Sequence, residues 1–168
     1  MNKTIWLGND HGGYEMKCSL IPVLQEEGWQ IQDVGSFSQE IVRYPNYAAK
    51  VCGAVASGTA QRGLLICSTG IGMSIIANKF KGVRAALCTT EFMGRMTREH
   101  NDSNILCLGG KITPFDEAAR ILRTWLNTGY IGGRHDISLG LIRQAEDLMM
   151  DGVAWPGDDV CASGEEKE

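Results

Sequence analysis

Gly63-Leu64-Leu65-Ile66-Cys67-Ser68-Thr69-Gly70-Ile71-Gly72-Met73-Ser74 is the stretch whose reading decides the fold. Gly63 to Cys67 is apolar without alternation, the pattern of a strand buried on both faces. Ser68 to Gly72 are mostly small residues that end the strand and turn the chain. From Met73 to Lys79 a helix is expected. A buried strand, a tight turn and a helix make the repeating unit of a parallel α/β sheet.

The same unit recurs on either side. Upstream, Thr4 to Gly8 reads as a buried strand ending in Asn9-Asp10-His11-Gly12-Gly13. A helix over Tyr14 to Glu27 follows, with Pro22 expected to kink or shorten it. Gly28 stops it, and Trp29 to Val34 gives a second strand. Gly35 to Pro45 is a polar loop, after which Asn46 can cap a helix to about Ser57. Downstream come strands at Val83 to Cys88 and Ile105 to Leu108, and helices at Glu91 to Glu99 and Thr113 to Asn127. Leu141, Ile142, Ala145, Leu148 and Met149 mark an amphipathic C-terminal helix. Strands alternating with helices predict a single-domain α/β fold. It is a doubly wound, Rossmann- or flavodoxin-like five-stranded parallel sheet with helices on both faces. Residues 1–150 are expected to form the domain and 151–168 a polar, acidic tail.

Composition narrows the function classes. A chain of 168 residues suits one domain, and 43% hydrophobic with 21% charged residues is ordinary for a globular protein. A net charge of −4 argues against a nucleic-acid footprint. No run approaches the length of a membrane span. Met1-Asn2-Lys3-Thr4 leads straight into a strand, leaving no room for a signal core, so the cytoplasm is the expected location. The six cysteines include no C-x-x-C pair and no zinc spacing with a histidine. No metal or cofactor is expected.

Ligands of open α/β sheets bind beyond the carboxyl ends of the strands, where strand order reverses. In a flavodoxin-like order this lies between the first and third strands. The loops there are Asn9 to Gly13 and Cys67 to Gly72, the two most unusual in the chain. In the second, backbone N–H groups at a helix start can face one anion. Gly70-Ile71-Gly72 is followed by Met73-Ser74-Ile75, so a dinucleotide fingerprint fails, as does a Walker loop. Met73 also stands where a Cys-x5-Arg phosphatase loop needs arginine. Cys67, at a strand end before a helix start, is held toward the thiolate, suited to a nucleophile or a general base. A buried core cysteine is the alternative. His11, His100 and His135 all lie in polar, glycine- or asparagine-rich turns. Asp10 and Glu99 are a candidate carboxylate pair, although Asp10 can equally cap a helix.

Taken together these loops resemble the type B ribose-5-phosphate isomerase family, which includes galactose-6-phosphate and allose-6-phosphate isomerases. The matching residues are Asp10-His11-x-Gly13, Tyr44-Pro45-x-Tyr47-Ala48, Cys67-x-Thr69-Gly70-Ile71-Gly72-Met73-Ser74, Ala77-Asn78-Lys79, Gly82-Val83-Arg84-Ala85-Ala86, Arg98-Glu99-His100-Asn101-Asp102-x-Asn104 and Gly132-Gly133-Arg134-His135. The resemblance implies an aldose–ketose isomerase of the pentose phosphate pathway that works through an enediolate. Cys67 would carry the proton between two sugar carbons. Thr69 and the amides of Gly70, Ile71, Gly72, Met73 and Ser74 would stabilise the enediolate. His100 would open the furanose ring. Asp10, Tyr47 and Asn101 would hold sugar hydroxyls, and His11 and Arg134 the phosphate, with Lys111 beside them. The partners implied are a sugar phosphate and a second copy of the chain, in a homodimer or dimer of dimers with shared sites and the C-terminal helix at the interface.

Four departures from the family pattern bear on the substrate. Ser68 stands where the family usually has glycine, Ser138 where many members carry a second arginine, and Arg43 where an aspartate precedes Tyr-Pro. The acidic tail is extra. Galactose 6-phosphate, allose 6-phosphate or a tetrose phosphate are therefore alternative substrates. A non-catalytic sugar-phosphate- or nucleotide-binding domain is the rival from another class, but it has no need of both Cys67 and His100.

Overall fold

The apolar runs pair as parallel strands. The computed structural model describes residues 3–150, so the expected tail at 151–168 lies outside the described residues. Strands β1 (Thr4–Asn9), β2 (Gln30–Asp33), β3 (Arg62–Cys67), β4 (Ala85–Leu87) and β5 (Ile105–Gly109) form one sheet in the order β2-β1-β3-β5-β4. Every pairing is parallel, with Leu7 opposite Leu64 and Cys67 opposite Gly109. The helices are α1 (Tyr14–Glu26), α2 (Tyr44–Ala56), α3 (Ile71–Ala77), α4 (Glu91–Asn101), α5 (Phe115–Asn127) and α6 (Arg134–Met150).

Side chains alternate across the sheet and fill two separate cores. Ile5, Leu7, Leu64, Ile66, Leu106 and Leu108 pack with Leu20 and Leu24 of α1 and Ile121, Leu122 and Trp125 of α5. Leu65, Cys67, Ile105 and Cys107 pack on the other face with Val51 and Val55 of α2 and Met73 and Ala77 of α3. Each fully buried leucine or isoleucine contributes about 1.5–3 kcal/mol. Covering both faces explains why β3 and β5 carry no polar alternation, whereas the edge strand β2 reads Gln-Ile-Gln-Asp.

Several element boundaries differ from the sequence reading. Helix α2 begins at Tyr44 rather than at an Asn46 cap, because the fixed φ of Pro45 is preset for a first turn. Pro22 lies inside α1 without ending it; the residue is exposed, and so is Cys18, whose carbonyl has no helical N–H to accept from at Pro22. Helix α6 starts at Arg134, seven residues before the periodic stretch. Gly132 and Gly133 have left-handed φ values of 73° and 63° and turn the chain into it. The last two strands exchange places relative to the flavodoxin order, with β5 inside and β4 at the edge. The reversal between β1 and β3 is unaffected, so the two singled-out loops emerge side by side.

Candidate active site

Cys67 is the last residue of β3 and is 5% exposed. The N–H of Gly70 donates to its Sγ over 3.1 Å. That contact depends on Gly70 having a φ of +75°, where a Cβ would also lie 2.9 Å from the backbone of Leu108. The first helical bond of α3 runs from the Ser74 N–H to the Gly70 carbonyl. The amides of Gly72 and Met73 precede it and project from the helix start. The Ile71 N–H is directed at the Thr69 hydroxyl over 3.4 Å. Met73 is fully buried and offers its backbone amide rather than its side chain, whereas Ser74, expected as a further amide donor, spends its N–H on the Gly70 carbonyl and its hydroxyl on the Ile71 carbonyl.

The other buried cysteines differ in character. Burial pushes the Cys52 and Cys88 thiols up to about 12 and drives Cys107 upward as well, its neighbours Cys52, Cys67 and Cys88 adding to the effect. These thiols stay protonated at neutral pH and serve as core filling.

Two further loops close on Cys67. Asp10, at the end of β1, accepts the N–H groups of Gly12 at 2.9 Å and Gly13 at 3.2 Å through Oδ1. It therefore caps the short 3-10 turn His11–Gly13, as the cap reading allowed, and its second oxygen remains for a ligand. A Cβ on Gly12 would lie 2.1 Å from the Ser68 hydroxyl, so the loops after β1 and β3 touch directly. The loop after β5 completes the ring: Gly110 N–H donates to Cys67 O at 2.8 Å and Lys111 N–H to Ser68 O at 2.9 Å. This sets the exposed Lys111 beside the mouth.

Residues 34–43 form one wall. The Val42 N–H donates to His11 Nδ1 over 3.3 Å, which leaves Nε2 to carry the proton of the neutral ring and donate outward. The ring of Tyr47 lies against Gly35, and that of Tyr44 covers Gly72 at the start of α3. Lys17, 1% exposed, anchors this wall through Ser36 O at 2.6 Å and Asp33 at 2.9 Å. Tyr44 is a contact that sequence reasoning left out of the site, although it sits within a quoted motif, and Ser68, singled out there as a departure bearing on the substrate, lies in this ring. Asn9 was missed as well; it is fully buried and its Oδ1 has no partner.

His100, Asn101 and Arg134 are not brought to Cys67. Cys67 pairs with Gly109 at the carboxyl end of β5, whereas α4 delivers His100 and Asn101 to the opposite end, next to Ile105. Four strand residues, about 13 Å, separate the two ends. The reason is topological. A crossover helix runs antiparallel to its strands, so residues closing the helix lie where the next strand begins. Glu99 stands at this far end with them, so it makes no carboxylate pair with Asp10.

The second group is itself well ordered. Asp102, with a left-handed φ of 44°, ends α4. Its carboxylate bridges Arg98 at 2.7 Å and Arg84 at 2.9 Å, and Arg84 also donates to the Asn101 carbonyl at 3.0 Å. His100 and His135 stack, their ring centroids 4.3 Å apart and their planes 14° from parallel. Arg134 is the exposed first residue of α6. A groove of about 500 Å³ adjoins the group, lined among others by Arg84, Asn101, Ile142 and Met149. Among the described residues no cluster of His, Cys, Asp and Glu is arranged to hold a metal ion. No helix among them is long and apolar enough to cross a membrane.

The ribose/galactose isomerase family model matches residues 5–142. The chain is 42% identical over 133 residues to ribose-5-phosphate isomerase B of Escherichia coli, covering 79% of this chain and 89% of that one. It is 39% identical over 142 residues to ribose-5-P isomerase B of Listeria innocua, covering 84% and 96%. Among solved structures it is similar to ribose-5-phosphate isomerase B of Clostridium thermocellum, with a TM-score of 0.85 and 45% identity over 87% of this chain and 99% of that one. Type B ribose 5-phosphate isomerase of Trypanosoma brucei gives a TM-score of 0.84 and 40% identity over 86% and 99%.

Proposed function

This chain belongs to the ribose/galactose isomerase family, and on that premise we propose that it interconverts ribose 5-phosphate and ribulose 5-phosphate through an enediolate. The observation that carries the reading is the Gly70 N–H donating to Cys67 Sγ at 3.1 Å, beside a helix start with unpaired amides. A thiolate in that position removes the C2 proton of the open-chain aldose. The C1 oxygen then bears the developing negative charge, which the amides of Gly72 and Met73 and the Thr69 hydroxyl stabilise, those of Gly70 and Ile71 being directed at Cys67 Sγ and the Thr69 hydroxyl. Return of the proton from Sγ to C1, with transfer of the O2 proton to O1, gives the ketose.

The remaining roles divide between the two ends of the sheet. Asp10 Oδ2 and Tyr47 hold sugar hydroxyls. His11 Nε2–H and Lys111 face the phosphate. His100 opens the furanose ring, Asn101 holds a hydroxyl and Arg134 binds phosphate, all three supplied by a second copy. A homodimer with shared sites reconciles this chemistry with the strand-length separation. Exposed apolar residues stand at each end in support: Ile71 and Ile112 near Cys67, Ile131 and Ile137 near His100. The cysteines among the described residues are all free thiols, which supports a reducing cytoplasm.

The test is turnover of ribose 5-phosphate with Cys67→Ala alongside. The variant is expected to lose at least about 100-fold in kcat, and near-full activity would refute Cys67 as the base. Ser68 favours a second reading. Its hydroxyl fills the space against Gly12 one residue from the thiol, so the same assay on hexose and tetrose phosphates decides whether another aldose phosphate is preferred.

A further inference from the structure

The stacked imidazoles at the far end of the sheet carry an assignment of their own. His100 is half-buried in the last turn of α4. Among the described residues neither of its ring nitrogens makes a hydrogen bond, so both remain available to a ligand. Its orientation therefore rests on packing, and the one ring packed on it is His135, at 4.3 Å and 14°.

His135 is held where it is by a stitched segment. Arg98 Nε donates to Thr128 O at 3.3 Å, and Ile131 N–H to Glu99 O at 3.1 Å, tying residues 128–131 to the end of α4. Gly132 and Gly133 turn in left-handed conformations, and the His135 N–H closes on Gly132 O at 3.3 Å. The Tyr130 hydroxyl donates to Asp136 Oδ1 at 2.9 Å, fixing the first turn of α6. Four contacts thus deliver one flat ring onto His100.

We propose that His135 is a positioning residue for His100, its stacked ring holding the His100 imidazole in the orientation that opening of the sugar ring requires. The proposal rests on the reading above in which His100 opens the furanose. In that step the C1–O4 bond breaks, O4 receives a proton from His100, and the O1 hydroxyl releases one to water as the C1 carbonyl forms. A proton donor must approach O4 along its N–H direction, so freedom of the donor ring lowers the rate. Stacking removes that freedom without occupying either nitrogen.

The chemistry offers a readout that a general structural defect would not spare selectively. Ribulose 5-phosphate has its C5 oxygen phosphorylated and cannot close a furanose ring. Exchange of its C1 proton with solvent therefore uses Cys67 and the amides but no ring opening. The experiment measures, for wild type, His135→Ala, His135→Phe and His100→Ala, both turnover of ribose 5-phosphate and deuterium wash-in at C1 of ribulose 5-phosphate in D2O. His135→Ala is expected to lose about 10- to 100-fold in turnover while wash-in stays within about twofold of wild type, with His100→Ala showing the same split more strongly. His135→Phe, which keeps a flat ring and lacks nitrogens, is expected to retain most of the turnover.

Equal losses in the alanine and phenylalanine variants would overturn the proposal in favour of a direct nitrogen contact with substrate. Unchanged turnover in His135→Ala, or wash-in falling in step with turnover there, would also overturn it. Loss of wash-in in His100→Ala would remove the ring-opening role on which the proposal depends. No wash-in by wild type would instead overturn the isomerase reading itself.

Discussion

At the scale of single residues, Gly70 governs the thiol. Its φ of +75° aims its N–H at Cys67 Sγ, and no space exists for a side chain, since a Cβ would lie 2.5 Å from Leu87 Cδ1 and 2.9 Å from Leu108 C. Gly70→Ala is therefore expected to add about 1–2 kcal/mol of backbone strain and to lower kcat about 100-fold by displacing the donor. Steady-state kinetics and a thermal melt together check both effects. Cys67 and its loop can be read from sequence because the relevant contacts lie within a few neighbours along the chain. Asp10 was half legible: a capping role competes with ligand binding, and the structure gives its Oδ1 to the cap. The His100–His135 stack is not legible, since 34 intervening residues carry no periodicity that would announce the contact.

At the scale of elements, the end of α4 is built around Asp102. Arg98 is 3% exposed, and its charge is balanced by Asp102 Oδ1 at 2.7 Å. Asp102→Ala leaves that guanidinium uncompensated in the interior and removes one of the bonds from Arg84 to the turn bearing Asn101, its bonds to the Asn101 and Asp102 carbonyls remaining. A loss of about 3 kcal/mol is expected, read as a lower urea midpoint with an unchanged slope, and turnover should fall as His100 and Asn101 drift. The strands were legible because burial on both faces leaves uninterrupted apolar runs, and most helices because they follow those runs at regular intervals. Strand order at the β5–β4 edge was not, because pairing depends on how helices pack and not on the pattern within a strand. The start of α6 escaped because its first turns have only Ile137 and Leu139 as apolar residues, two positions apart and so on different faces of a helix.

At the scale of the whole molecule, a strand length of about 13 Å lies between the sheet end that carries the thiol and the end next to the imidazoles. The proposed shared-site dimer makes a test by mixing possible. Cys67→Ala and His100→Ala should each be inactive alone. Co-expressed, half of the dimers are mixed and each holds one intact site, so about one quarter of wild-type activity should return. Persistent inactivity, with mixed dimers verified by mass spectrometry, would refute the shared site. The thiol at one end and the imidazoles at the other have a physiological corollary. On the proposed shared site, a chain fresh from the ribosome cannot perform the reaction until it meets a sibling. Specific activity then follows the law of mass action and collapses on dilution, so the abundance of the protein sets the rate per molecule as well as the number of molecules at work.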